Sequence, residues 1–368
     1  MSDAPQISLG QKLGIPIAFG KALAAALIRM TTSPFKGSKG GPTYYRDVFM
    51  TLVRTQLRNV SIEQTQYTSK PTGQVYLDFA TANKFTPMTD DLGNGGKAHW
   101  LGDKSAKVTL VYLHGGGYVV PAGPNHFSFL YDLMNALNNS GASLNICFLE
   151  YTLAPHGEYP TQLRQASSLI THLLTTKSAA DLIVAGDSAG GNLILGLLSH
   201  LLHPHPAIPA VDLKGDKLRG AVLLSPWVSF DTRHPSYTTN AESDLFDEVP
   251  LNTWARAFLG ASMRRGILMG DSYSEPLIAE PGWWGGAHKV VDEVLIWGGG
   301  GEIFIDGILA FSDKFTEGWK AGGGDPRKVQ TISRARMCHE EPLADILMGF
   351  KEKGEGAKDI ETFVRSKL

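Results

Sequence analysis

The stretch that most restricts what this chain can become is "VAGDSAGGN", residues 184–192. It overlaps the apolar run "DLIVAG" and leads into "GGNLILGLLSHLL". The first reads as a buried strand and the second as a helix. Ser188 therefore stands at a sharp strand-to-helix turn. Small neighbours are needed there, because the backbone crowds itself and a larger side chain would clash. Such a turn lifts one hydroxyl above the edge of a sheet. The pattern G-x-S-x-G (Gly186, Asp187, Ser188, Ala189, Gly190) is weak alone and strong between a buried strand and an apolar helix. The competing reading is a tight structural turn, so the rest of the chain must decide.

From residue 107 onward, strand-like and helix-like segments alternate. "KVTLVYLH" (107–114), "LNICFLEY" (144–151), "RGAVLLSPW" (219–227), "VDEVLIWGGGGE" (291–302) and "KVQTISRAR" (328–336) read as strands. The segments "HFSFLYDLMNALNNSG", "YPTQLRQASSLITHLLTT" and "EIFIDGILAFSDKFTEGW" carry helical spacing, and "EPLADILMGFKEKG" opens the last helix. The expected fold class is α/β: a mostly parallel central sheet flanked by helices on both faces. "VSIEQTQYTS" and "GQVYLDFAT" alternate, which predicts strands within residues 59–79. Residues 230–285 break the alternation and read as an insertion over the carboxyl end of the sheet. The expected organisation is an N-terminal helical cap segment (1–55), core (56–229), cap insertion (230–285) and core (286–368).

A net charge of −2 gives no electrostatic reason to expect nucleic acid. Of the two cysteines, Cys147 lies in an apolar run, and so few in 368 residues point to a reducing compartment. No basic start with an apolar core suggests a signal peptide, so the expected location is cytoplasmic. "LGIPIAFGKALAAALIRM" (13–30) contains Pro16, Lys21 and Arg29. Its uncharged run is short for a bilayer crossing, so it predicts an amphipathic helix covering a pocket, with Phe19 and Leu23 among its apolar side chains. The alternative reading is a surface-bound helix, although membrane contact is not the expectation.

Acyl transfer through a serine needs a nucleophile, a base, an acid that orients the base, and donors for the oxyanion. Ser188 supplies the first. "LHGGGYV" (113–119) ends a buried strand in glycines whose N–H groups a substrate can approach. Gly116 and Gly117 are the favoured donors, with Gly115 less so, joined by Ala189 after the serine. His114 is expected to brace this loop. No G-K-[ST] follows, which argues against a phosphate loop. Of eleven histidines, His339 in "RARMCHEEP" alone follows the last strand, where the base belongs. "VLIWGGGGEIFIDG" offers Glu302 and Asp306 as the acid. Glu302 is nearer the strand end and is preferred, with Asp306, and Asp187 beside the serine, in support. "HPHP" (203–206) makes a poor metal site, and no metal is expected.

"HGGGY" about seventy residues before "GDSAGGN", with "YTLAP" and "YP" between them, resembles the hormone-sensitive-lipase-like α/β-hydrolases over residues 100–345. "GEIFIDGI" and the Trp283–Trp284 pair are most similar to fungal members, many of which sit beside secondary-metabolite pathways. The resemblance implies a carboxylesterase with a helical cap, acting on small-molecule esters of short or medium acyl groups without a cofactor, and often a homodimer. It also implies that Glu302 takes the place of the family's catalytic acid, usually Asp. His156 stands where the family has Glu after "LAP", and Gly307 where a second acid often follows. The same acyl-enzyme would serve lactone opening, deacetylation, amide cleavage or acyl transfer. A non-catalytic receptor on this scaffold would have lost its histidine, and His339 is present.

Overall fold

The computed structural model describes residues 6–263 and 268–368; residues 1–5 of the N-terminal segment and 264–267 of the insertion lie outside them. Eight strands form one sheet: β1 (Met88–Asp91), β2 (Lys97–Leu101), β3 (Val108–Leu113), β4 (Leu144–Glu150), β5 (Leu182–Asp187), β6 (Gly220–Leu224), β7 (Val294–Gly299) and β8 (Val329–Arg334). Their order is β1-β2-β4-β3-β5-β6-β7-β8. β1 with β2 and β2 with β4 run antiparallel; all other neighbours are parallel. The mostly parallel sheet expected from the alternation is thus present, extended by an antiparallel hairpin over 88–101 that the sequence reading did not include.

β3, β5, β6 and β7 are buried along their whole length, as strands covered on both faces must be. Alternate residues face opposite layers. Val111, Leu113, Val184, Leu223 and Ile296 pack with one cluster, while Leu110, Tyr112, Ala185, Val222 and Leu295 pack with the other.

Among the described residues, twelve α-helices accompany the sheet. α1 (Leu9–Thr32), α2 (Tyr44–Asn59), α3 (Ile62–Thr68) and α4 (Thr72–Ala82) precede the sheet. α5 (Pro124–Asn138), α6 (Thr161–Leu173) and α7 (Ala189–Leu202) connect its strands. α8 (Ser236–Thr239) and α9 (Glu248–Leu259) lie in the insertion. α10 (Ile305–Ala321), α11 (Glu341–Leu347) and α12 (Glu355–Ser366) finish the core.

Three expectations are corrected. The strands expected within 59–79 are helices α3 and α4. Ser61 and Gln64 form a reciprocal capping box, a local helix start that outweighs the alternation. In α4 the buried Val75, Tyr76 and Ala80 follow helical spacing. The last helix is two, because Gly349 at φ 82° ends α11 after Leu347. Finally, α1 does not bury its larger side chains over a pocket. Only Ala18, Ala22, Ala26 and Arg29 of α1 are buried, while Phe19 and Leu23 are 51% and 42% exposed.

Arg29 pins α1 to the body. Its guanidinium donates to both oxygens of buried Asp47 on α2, at 2.7 and 2.6 Å, and to Glu242 at 2.9 Å. Arg54 donates to the Asp244 carbonyl and Arg58 to the Asp247 carboxylate, so α2 also grips the insertion. Burial works against ionisation of Asp47, but Arg29 and the Gly41 N–H hold its carboxyl below the usual range. Removing one partner of such a pair leaves a buried charge alone. Arg29→Ala is therefore expected to cost about 3 kcal/mol of stability at neutral pH, read by urea denaturation. A loss below about 1 kcal/mol would show that the pair is not needed to seat α1.

Candidate active site

The parallel register brings four strand ends together. Leu113 of β3 lies beside Gly186 of β5, Asp187 beside Leu224 of β6, and Leu224 beside Trp297 of β7. The sequence-predicted site residues lie at this edge, in the loops just beyond it, or in the first turns of α7 and α10.

Ser188 has φ 47° and ψ −115°, a strained backbone for a residue with a side chain. The small neighbours are explained by contact distances. A Cβ on Gly186 would lie 2.6 Å from the Gly190 carbonyl group, and one on Gly190 would lie 1.9 Å from the Leu113 oxygen. Both positions exclude every other residue. Ser188 N–H donates to the Leu224 carbonyl, and its own carbonyl accepts from Trp227 and Asn192.

Asp187 is buried and holds the glycine loop. Its carboxylate accepts from Tyr112 Oη at 2.7 Å and from Gly115 N–H at 2.9 Å, and His126 Nε2 lies 3.4 Å away. Burial opposes its charge, but His126 and the hydrogen bonds hold the carboxyl well below the usual carboxylate range. Burial likewise opposes the His126 cation, and Asp187 raises its pKa in spite of that. This corrects Gly115 as an oxyanion donor, since its N–H is already given to Asp187. A Cβ on Gly115 would also fall 2.2 Å from Asp187 Oδ2. Gly116 (φ 88°) and Gly117 (φ 58°) then turn the chain sharply. Among the described residues, the N–H groups of Gly116, Gly117 and Ala189 have no backbone or side-chain acceptor.

His114 lies buried at the start of the loop. Its ring stacks on Tyr151 at 4.2 Å, and Tyr151 Oη donates to the carbonyls of His114 and Gly115. Burial, and then the nearby His126, push its pKa down to about 4, so it is neutral at ordinary pH. Trp254 of α9 lies over Gly117, where any Cβ would meet its ring at 2.3 Å.

His339 Nδ1 and Glu302 Oε2 are 2.6 Å apart, and both side chains are buried. The other Glu302 oxygen accepts from Gly299 N–H at 2.6 Å and Ser225 Oγ at 3.0 Å. Burial raises the Glu302 pKa against the hydrogen bond from His339. Asp306 is corrected as a support of this pair. It accepts from Ser236 N–H of α8 at 2.7 Å and so holds the insertion instead. The supporting carboxylate is Asp244, which the sequence reading missed. It accepts from His339 N–H at 2.9 Å and Ile303 N–H at 2.7 Å, tying together the loops that carry His339 and Glu302. No local pattern marks it, because it comes from the insertion, 58 residues before Glu302 in "ESDLFDE".

Glu340 was also missed, although it stands next to His339 in "CHEEP". It takes φ 51°, a left-handed conformation, and its N–H donates to Ser225 Oγ. This places Oε1 3.3 Å from His339 Nε2, the atom that a serine proton would reach. Among the described residues, Nε2 has no hydrogen-bond partner, Ser188 Oγ included. Burial and the neighbouring Asp187 push the Glu340 carboxyl up to about 7. Burial opposes the His339 imidazolium, but Glu340 and Glu302 together raise its pKa well above the ordinary value.

Among the described residues, no group of three His, Cys, Asp or Glu is placed to hold a metal ion. In "HPHP", His203 Nε2 is engaged by the Trp283 carbonyl at 2.9 Å, and His205 Nδ1 by the Ala207 N–H.

Removing the Glu340 charge removes one of the two carboxylates that favour the imidazolium. Glu340→Gln should therefore lower the His339 pKa, moving its NMR titration midpoint to lower pH. An unchanged midpoint would mean that Glu340 does not face the ring in solution.

A sequence model described as the alpha/beta hydrolase fold matches residues 110–323. Steryl acetyl hydrolase 1 of Saccharomyces cerevisiae is 28% identical over 131 residues, 34% of this chain and 28% of that protein. An esterase of Gibberella moniliformis is 26% identical over 161 residues, 42% of this chain and 46% of that protein. The chain thus matches less than half the length of these curated relatives. Among solved structures, an esterase from the bacterial hormone-sensitive lipase family has a TM-score of 0.62 at 22% identity, covering 88% of this chain and 98% of that one. A hormone-sensitive lipase from a metagenome library has a TM-score of 0.58 at 22% identity, covering 87% and 98%. These structures share the fold and agree with the resemblance carried by "HGGGY" and "GDSAGGN". With more than half of its length matched by the family model, the chain belongs to the α/β-hydrolase fold family.

Proposed function

We propose that the chain is a serine carboxylester hydrolase for small-molecule esters with short acyl groups. The observation that carries this reading is the buried 2.6 Å contact between His339 Nδ1 and Glu302 Oε2, set at the same sheet edge as the strained Ser188 turn. Support for a short acyl group comes from the relatives' names, which include steryl acetyl hydrolase 1 and two acetyl-hydrolases.

In this reading Ser188 Oγ attacks the ester carbonyl carbon while His339 Nε2 takes its proton. The tetrahedral oxyanion is held by the N–H groups of Gly116, Gly117 and Ala189. Each such donor lowers the barrier by about 3 kcal/mol, because it is fixed in place before charge develops. The imidazolium returns its proton to the departing alcohol, leaving an acyl-serine. Water, activated by the same imidazole, then releases the acid. Glu302 stays ionised and fixes which ring nitrogen is free. For the first transfer Ser188 Oγ must come within hydrogen-bond reach of Nε2, where Glu340 now stands closest to the ring's free side. The insertion 230–285 closes the site as a cap, with Trp254 over Gly117 and Phe246 against the His339 ring, centroids 4.7 Å apart.

Ser188→Ala should remove nearly all hydrolysis of a p-nitrophenyl ester, and a fluorophosphonate should label the native chain at Ser188 but not the variant. Label elsewhere with activity retained overturns the assignment. Glu302→Gln is expected to lower kcat by about 10⁴, as loss of the orienting acid does in serine triads. Asp306→Asn should leave kcat within about threefold, since its partner is a backbone N–H of the insertion. The opposite ranking would exchange the two carboxylates' roles.

A further inference from the structure

Helix α1 carries an apolar face that the protein itself does not cover. At roughly 100° per residue, Leu9, Leu13, Ile17, Leu23 and Leu27 fall within a stripe about 120° wide. Ala18, Ala22 and Ala26 lie on the opposite side, against the body. Exposure follows that division: Leu9 is 72% exposed, Leu13 59%, Ile17 60% and Leu27 64%, while Ala22 is fully buried. Phe35, just beyond the helix, is 88% exposed. An outward row of leucines of this length is costly in water, at about 25 cal/mol for each Å² of apolar surface.

Charge distinguishes what could cover it. Residues 4–46 contain no Asp or Glu, but they hold Lys12, Lys21, Arg29, Lys36, Lys39 and Arg46. Arg29 and Lys36 are paired to Glu242, and Arg46 to Asp345. Among the described residues, Lys12, Lys21 and Lys39 form no ion pair, and Lys12 and Lys21 lie on α1 itself. A second copy laid across the stripe would set basic flank against basic flank. An anionic lipid surface accepts the leucines among its acyl chains and the lysines among its headgroups.

Two arrangements suit an apolar helix at a membrane, and the structure separates them. Over residues 9–35 the helix reaches a mean hydropathy of 1.5 and is long enough to cross a bilayer. Crossing would carry Lys21 and Arg29 into hydrocarbon and leave Asp47 of α2 buried without its partner. Lying in the membrane plane keeps that pair intact and inserts only the outer stripe.

We propose that α1 is an in-plane membrane-docking helix, with the Leu9–Leu13–Ile17–Leu27 stripe in the acyl region of an anionic lipid surface and Lys12 and Lys21 at its headgroups. The inner face stays on α2, which grips the insertion through Arg54 and Arg58. Docking thus holds the insertion close to the lipid, where esters of apolar alcohols dissolve.

The native chain, residues 1–368, should float with vesicles of phosphatidylcholine and phosphatidylserine (7:3) and bind pure phosphatidylcholine vesicles at least about fivefold more weakly. The triple variant Leu13→Asp, Ile17→Asp, Leu27→Asp should lose about tenfold or more of this binding. It should keep native circular dichroism and native hydrolysis of a soluble p-nitrophenyl ester. The vesicle measurement is repeated with Ser188→Ala, so that it stands apart from the proposed activity. No flotation of the folded native chain overturns the proposal, as does flotation that the triple variant leaves unchanged. A dimer in analytical ultracentrifugation that the triple variant dissolves, without vesicle binding, assigns the stripe to a second copy and also overturns it.

Discussion

The approach on which the site depends is between the end of one strand and the start of one helix. Gly190 opens α7 so near the Leu113 carbonyl that no side chain fits between them. Because β3 and β5 are hydrogen-bonded neighbours, that approach also fixes where the glycine loop after β3 must start. The serine turn and the loop are therefore placed by one steric condition. Asp187 then converts proximity into attachment, since it precedes the serine in sequence and accepts the first N–H of the loop.

Around this junction the chain concentrates buried charge of one sign. Asp187, Asp244, Glu302 and Glu340 converge on a region whose cationic groups are His126 and His339. Asp187, Asp244 and Glu302 are each anchored by backbone or side-chain donors, whereas burial and Asp187 push the Glu340 carboxyl up to about 7. The result favours the protonated imidazole, the form that serine chemistry passes through. It also makes the resting arrangement acid-rich, with Glu340 on the side of the ring where a hydroxyl would approach.

Much of this was legible in the sequence where a local pattern carries the physics. Parallel strands buried on both faces must be continuous apolar runs, so β3 to β7 could be found by reading. Ser188, the glycines and His339 could be placed because strand ends and small residues mark the edge where they project. Residues 59–79 misled because period-two apolarity and a capping box conflict there, and the helix start at Ser61 prevails. The β1–β2 hairpin is short and half polar, so it lacks an apolar signature. Asp244 and Glu340 could not be read, since their roles come from long-range contacts and from one left-handed backbone turn. The outward face of α1 shows the opposite limit: its apolar content was visible, but which side the body would cover was not.

Asp244 belongs to the insertion, yet it fastens the two core loops that carry Glu302 and His339. This limits how the fold can diversify. Segments above a conserved scaffold are usually the parts exchanged when a lineage acquires a new substrate, because their replacement leaves the chemistry alone. Here a replacement segment must also deliver one carboxylate to one place beneath it, or the Glu302 and His339 loops lose their common anchor. By this geometry the "SDLF" turn, which carries Asp244, is less free to change than segments that touch neither loop. A chimera that transplants this region between relatives should therefore be cut on either side of that turn, not through it.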